Sequence, residues 1–159
     1  MKKKTEEPLQ AEEPMVAYRA ATYSALSLLM GESLSPPSDF DLVKVARGGI
    51  AKQKLLSLAR KLSLTIQEIA DILHISERTL QRYSPDTFIK TEHADRAIEL
   101  ARLYERGIDV LGSAEAFNKW LRQPNYALRN QAPLSLLDTS IGFTMVLDVL
   151  GRIEHGVFS

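Results

Sequence analysis

One stretch constrains the fold more than any other: residues 65–83, TIQEIADILHISERTLQRY. Thr65 offers a helix N-cap, and Glu68, three residues on, completes a capping box. Ile66, Ile69, Ala70 and Leu73 then fall on one helical face. His74 and Ile75 interrupt that period, Ser76 offers a second N-cap, and a second short helix runs from Glu77 to Tyr83. Two short helices joined by a tight turn, with small Ala70 where they approach, form a helix-turn-helix pattern.

In that pattern the second helix enters the DNA major groove. Leu80 points inward, and Ser76, Arg78, Thr79, Gln81 and Arg82 are the candidate DNA contacts, with Glu77 on the same outer side. The turn departs from the usual form, because His74 stands where glycine is common. A non-glycine residue at positive φ is unusual, although histidine is among the better tolerated. The competing reading is a plain helical hairpin that touches no DNA.

Net charge is zero, which on its own argues against a nucleic-acid binder, but the charge is unevenly placed. Residues 42–84 hold eight Lys or Arg against three acids, a surplus of five. Residues 1–41 carry a deficit of three and residues 85–159 a deficit of two. The cations thus gather on the helix-turn-helix, as a phosphate-binding surface requires.

The rest of the chain reads as helices separated by clear stops. Residues 1–14 are polar and proline-punctuated, and are expected to be a disordered tail. A helix over 15–30 closes at Gly31, another covers about 40–47 and ends at Gly48-Gly49, and a third, 50–62, packs behind the helix-turn-helix. Ser84-Pro85-Asp86 halts the recognition helix. A long helix then opens at Thr91 or Glu92 and runs to about Gly112, with Glu92–Arg96 and Glu99–Arg102 pairs on its polar face. Ser113 caps a helix over 114–121, in which Phe117, Trp120 and Leu121 look like core.

A polar loop, 123–133, and a short turn, 134–137, precede the last helix. That helix runs to about Glu154 with Phe143, Val146, Leu147 and Leu150 inward. No stretch alternates as a half-buried strand does, so the expected class is all-α, in two halves: 15–84 and 91–159.

Catalytic chemistry finds no purchase. His74, His93 and His155 are scattered without metal-ligand spacing, and cysteine is absent. No glycine-rich phosphate loop or nucleophile elbow occurs, so the chain reads as neither an enzyme nor a cofactor binder. The absence of cysteine suits a reducing cytosol. The basic start has no apolar segment behind it, and residues 20–31 are too short to span a membrane, so the expected location is cytoplasmic.

The closing segment LGRIEHGVFS is the second informative stretch. Val157 and Phe158 put apolar surface at its end, which calls for a docking site on a partner or on the chain's own core. In the partner reading Phe158 is an anchor, and Arg152 and Glu154 are polar contacts.

The runs LARKLSLTIQEIADILHISERTLQR, NKWLRQPNYALRNQAPLSLLDT and LGRIEHGVFS together resemble the Xre/MbcA/ParS-type antitoxins, partners of RES-domain toxins in type II toxin–antitoxin pairs. The helix-turn-helix alone is weak; its combination with Trp120-Leu121, Pro124-Asn125 and the run from Pro133 to Leu137 is far more specific. The resemblance implies a dimerising all-α protein whose N-terminal half binds operator DNA and whose C-terminal half binds toxin in a higher hetero-oligomer. It implies that the toxin consumes NAD and that the antitoxin's C-terminal segment sits at the toxin's active-site entrance. Carried onto this chain, Arg152, Glu154, His155, Gly156, Val157, Phe158 and Ser159 would be the occluding residues. The alternative is a stand-alone helix-turn-helix regulator with a C-terminal dimerisation or sensing module.

Overall fold

Helix α6, Glu92–Leu111, organises the molecule, because only a narrow polar stripe through Asp95, Glu99, Arg102 and Asp109 is left to solvent. Ala94, Ala97, Ile98, Leu100, Ala101, Leu103 and Tyr104 are all buried, along several directions around the axis. A helix apolar on more than one side must be surrounded. The computed structural model describes residues 24–31 and 36–156. Before α6 come α1 (Ser24–Met30), α2 (Asp39–Gly48), α3 (Lys52–Lys61), α4 (Ile66–Leu73) and α5 (Glu77–Arg82). After it come α7 (Ala114–Arg122), 3-10 turns at Tyr126–Leu128 and Pro133–Leu136, and α8 (Ser140–Glu154). Helices α1, α2 and α4 pack on α6 from one half of the chain, and α7 and α8 from the other. A single cluster of buried side chains runs through both.

Gly107 is what lets α7 approach so closely. A Cβ there would fall inside the ring of Phe117, which is fully buried and meets Tyr104 edge-on at 5.8 Å. Trp120 stacks on the other side of Phe117 at 6.1 Å but is only part-buried.

The mostly helical fold agrees with the sequence expectation, with one correction. Ile50–Ala51 and Phe88–Ile89 form a two-residue antiparallel ribbon, β1 and β2, with Ile50 opposite Ile89. Strands this short carry no alternation that a sequence period can detect. Helix α3 therefore starts at Lys52 rather than at Ile50. Its first amides, of Lys52 and Gln53, donate to the carbonyls of Thr87 and Pro85 at 2.9 and 3.0 Å. The ribbon and this capping close the segment after α5 back onto α3.

Two further corrections concern α8 and α6. Leu147, expected inside, is 42% exposed, while Val149 is buried in its place. Arg96 pairs with Glu99 at 3.7 Å rather than with Glu92, and Arg102 reaches Asp39 at 3.7 Å. The tail 1–14 and the expected helix before residue 24 lie outside the described residues, as do Val157, Phe158 and Ser159.

Candidate nucleic-acid and partner surfaces

The helix-turn-helix is built as its capping residues dictate. Thr65 Oγ1 accepts from the Glu68 amide (3.1 Å), and Glu68 Oε2 accepts from the Thr65 amide (2.8 Å). Arg122 of α7 then clamps the same carboxylate at 2.8 and 2.9 Å, which holds Glu68 below the usual carboxylate range and raises the guanidinium. Ile69, Ala70, Ile72 and Leu73 bury the inner face of α4. His74 ends the helix in the left-handed region, at φ 59° and ψ 35°, so it takes the conformation that glycine usually supplies.

Ser76 caps α5, its Oγ accepting from the Thr79 amide at 3.1 Å and donating to Thr79 Oγ1 at 2.6 Å. Leu80 is fully buried, and Arg78, Gln81 and Arg82 are not. Gln81 donates to Glu77 at 3.0 Å, whereas Arg78 and Arg82 have no ion-pair partner among the described residues. Ser76 and Thr79 are thus occupied with each other at the cap, and the two arginines carry the open charge.

Not all of the basic surplus faces solvent. Lys52 is 8% exposed, and its ammonium donates to the Tyr83 carbonyl (2.7 Å) and the Gln81 carbonyl (3.3 Å). These are carbonyls at the end of α5 that the helix cannot satisfy itself, so Lys52 is a C-cap supplied from α3. Lys54 donates to Leu29 O at 3.3 Å and fastens α1. Counting charges along the sequence treats both as surface cations; burial assigns them to the fold.

Sequence reasoning missed Arg96. It sits on α6 and is 5% exposed. Nε donates to Ile72 O of α4 (3.1 Å), Nη2 to Leu137 O (3.2 Å) and Nη1 to Ser140 Oγ at the start of α8 (3.0 Å). The guanidinium also lies over the Phe143 ring at 5.1 Å and 3.3 Å from His74 Nε2. The same His74 nitrogen contacts Asp138 O, and its Nδ1 lies 3.7 Å from Glu92. His93, part-buried in the first turn of α6, meets Leu73 O through Nδ1 at 2.6 Å. The one available signal for Arg96 was its position within the apolar run of α6, where a cation cannot reach water.

Beside this cluster a cleft of about 720 Å³ separates α4 and the turn from the 3-10 segment that precedes α8. Ile75 and Leu134 line it. Arg122 bridges it to Glu68 and to Ser63 O, and His74 bridges it to Asp138.

Helix α8 presents the other candidate surface. Thr139 caps it through the Gly142 amide (3.0 Å), and Phe143, Val146, Val149 and Leu150 anchor it. Ile141 (76% exposed), Met145 (41%) and Arg152 follow one another at i, i+4 and i+11 along the outer side. Arg152 has no polar partner among the described residues. Glu154 is engaged by Arg106 in a two-point pair, with Nη1 to Oε1 at 3.1 Å, and this pairing lowers its pKa. His155 Nδ1 meets Gly151 O at 2.7 Å, and Gly156 turns the chain at φ 68°. Of the expected partner contacts, Arg152, Glu154, His155 and Gly156 thus share the end of one helix, with Glu154 and His155 already committed within the fold.

The fold and the two surfaces define a helical protein with an N-terminal helix-turn-helix and a separate C-terminal helical region. Residues 41–102 match the model of the antitoxin Xre-like helix-turn-helix domain, and residues 106–156 match that of the antitoxin Xre/MbcA/ParS C-terminal toxin-binding domain. The chain is 30% identical over 120 residues to "Antitoxin Xre" of Yersinia enterocolitica, covering 74% of this chain and 81% of the relative. It is 29% identical over 99 residues to "Mycobacterial cidal antitoxin MbcA" of Mycobacterium tuberculosis, covering 62% and 86%. In structure it is similar to a chain of the crystal structure of the M. tuberculosis MbcT–MbcA toxin–antitoxin complex, with a TM-score of 0.50 and 26% identity, over 68% of this chain and 96% of that one. The chain belongs to the Xre/MbcA/ParS antitoxin family. That membership carries the reading that it is not an enzyme. Among the described residues no helix is long and apolar enough to cross a membrane.

Proposed function

We propose that this chain neutralises a RES-domain, NAD-consuming toxin through its C-terminal segment and represses its own operon through the helix-turn-helix. The observation that carries the first part is the outer side of α8, from its first turn to its end. Arg152, without a polar partner among the described residues, and the exposed Ile141 and Met145 lie on the helix that leads directly into the terminal residues, within the segment matched to a toxin-binding domain. Apolar anchors framed by charge are how a plug gains both affinity and register. Arg152, Glu154, His155, Gly156, Val157, Phe158 and Ser159 make up the occluding set, and the chain needs no catalytic group for steric and electrostatic blockade.

On the DNA side, Arg78 and Arg82 supply the free cations of α5, with Gln81, Ser76 and Thr79 beside them. Residues 15–84 serve DNA binding and dimerisation, and residues 91–159 serve toxin binding. A homodimer would present two recognition helices to a palindromic operator, and toxin would add to it in a higher hetero-oligomer. Co-expression with the adjacent gene product, followed by pull-down and an NAD-consumption assay, tests the reading. The neighbour should co-purify and its NAD depletion should be silenced. If nothing co-purifies and NAD stays level, the stand-alone regulator takes its place.

A further inference from the structure

We infer that the loop Asn125–Gln131 is a second docking element for the toxin. It is a preformed knob whose Tyr126 ring enters an apolar, acid-rimmed recess on the toxin's body, apart from the active site that the terminal segment covers. The inference rests on the functional reading above, since it needs a toxin on the C-terminal half.

The loop is built to hold one shape. Its ends bridge, with the Asn125 amide donating to Gln131 O at 3.1 Å. Every amide from Ala127 to Gln131 finds its acceptor inside the loop. Ala127 donates to Asn125 Oδ1 (2.9 Å), and Leu128 and Asn130 donate to Asn125 O (3.0 and 2.9 Å). Arg129 donates to Tyr126 O (3.1 Å) and Gln131 to Leu128 O (3.0 Å). Leu128, only 3% exposed, pins the loop to the core. Arg129 and Asn130 are both left-handed, at φ 54° and 60°. Asparagine tolerates that region, but arginine there is uncommon and persists only where its surroundings dictate it.

This frame displays a ring. Tyr126 is 82% exposed, more than any other large hydrophobic side chain among the described residues. Arg129 is exposed in the same loop, and its side chain has no polar partner among the described residues. Tyrosine and arginine are the residues that most often anchor protein interfaces, and a ring held out by a fixed backbone binds with little ordering cost.

Three observations favour the toxin as the occupant. The loop lies inside the residues matched to a toxin-binding domain, 106–156. Its 3-10 turn packs on α8, so the knob adjoins the helix that carries Ile141 and Met145. No acid occurs between Glu115 and Asp138, so the complement to this loop is a surface with carboxylates around an apolar recess. Operator DNA fits less well, because Arg129 is the loop's one cation and phosphate binding takes several.

The test measures affinity and dissociation rate for the purified product of the adjacent gene. The chains compared are the full-length parent, Tyr126→Ala, Tyr126→Phe and Arg129→Gly, and a chain ending at Gly156 with and without Tyr126→Ala. Tyr126→Ala should weaken toxin binding at least about tenfold, chiefly through faster dissociation, with the parent's melting temperature kept. Tyr126→Phe retains the ring and should stay within about threefold of the parent. Glycine suits the left-handed backbone, so Arg129→Gly removes the guanidinium without straining the loop and should weaken binding about threefold or more. The Tyr126→Ala factor should recur in the chain ending at Gly156, because knob and tail are separate contacts. Toxin binding by Tyr126→Ala equal to the parent's overturns the inference. So does a variant that shifts operator affinity or self-association and leaves toxin affinity alone, which would give the loop to DNA or to a second copy. A parent that does not bind the adjacent gene product defeats the functional reading itself. Should Tyr126→Ala fail to fold, Arg129→Gly decides alone.

Discussion

The recognition helix α5 is six residues long and buries one large side chain, Leu80, whereas α8 runs fifteen residues and buries Phe143, Val146, Val149 and Leu150. Helix α5 is held from outside, by the Ser76 cap before it and by Lys52 from α3 after it, and its two arginines, Arg78 and Arg82, are exposed. Helix α8 is held by its inner face, and what it offers is an apolar outer stripe and an end. The two surfaces must therefore answer differently to the same perturbations. One is sensitive to cations and salt, the other to volume and chain length.

The largest effect should come from the shared framework behind the C-terminal half. Phe117→Ala removes a fully buried ring that fills the space left by Gly107, and should cost about 3–5 kcal/mol, read as a fall in midpoint in a denaturant titration. Trp120→Ala should cost distinctly less, because Trp120 is only part-buried; equal losses would show that the stack, not the burial, supports α7.

Next in size is the charge on α5. Arg78→Ala with Arg82→Ala should weaken operator binding and flatten its salt dependence by about 0.9 in log–log slope for each phosphate left unneutralised, with toxin affinity unchanged. An unaltered slope would mean that neither arginine meets the backbone of DNA.

A smaller effect separates the halves by pH. Glu105 of α6 is buried and accepts from the Leu26 amide of α1 at 3.1 Å; burial pushes its pKa up to about 7. The folded chain then holds a proton that the unfolded chain releases near 4.5, so stability should decline as pH rises from about 5 towards 8. Glu105→Gln keeps an acceptor for Leu26 and should flatten that decline in melting temperature. A variant whose pH profile follows the parent's would assign the decline to other groups.

Smallest is Ser76→Ala, which removes the α5 cap and should cost about 1 kcal/mol of stability. If Ser76 serves only as a cap, operator binding should weaken without any change in salt slope.

Much of this was legible in the sequence because caps and helical period are local. Thr65 with Glu68, the Ser76 cap, and Leu80 facing inward all follow from spacing within a few residues. The left-handed His74 is signalled by the missing glycine alone. What was not legible depends on distant partners. Arg96 and Lys52 look like surface cations until α4, α8 and the end of α5 are brought to them. Ile50–Ala51 becomes a strand only when Phe88–Ile89 returns beside it. Leu147 faces outward because the phase of α8 is set by Gly142, which lies so close to Leu136 O that no side chain fits there. The motif places the last turn of the C-terminal site, yet it holds no trace of the commitment of Glu154 to Arg106, 48 residues earlier.

In the proposed function, toxin neutralisation and DNA binding reside on separate surfaces, along α8 to its end and on α5. The direct test is a reciprocal one: NAD levels in toxin-expressing cells and operator binding in vitro, for a chain ending at Gly156 and for the Arg78→Ala, Arg82→Ala double variant. The shortened chain should bind operator but fail to preserve NAD, and the double variant should preserve NAD but lose the operator. A shortened chain that still protects the NAD pool would overturn the assignment of neutralisation to the terminal segment.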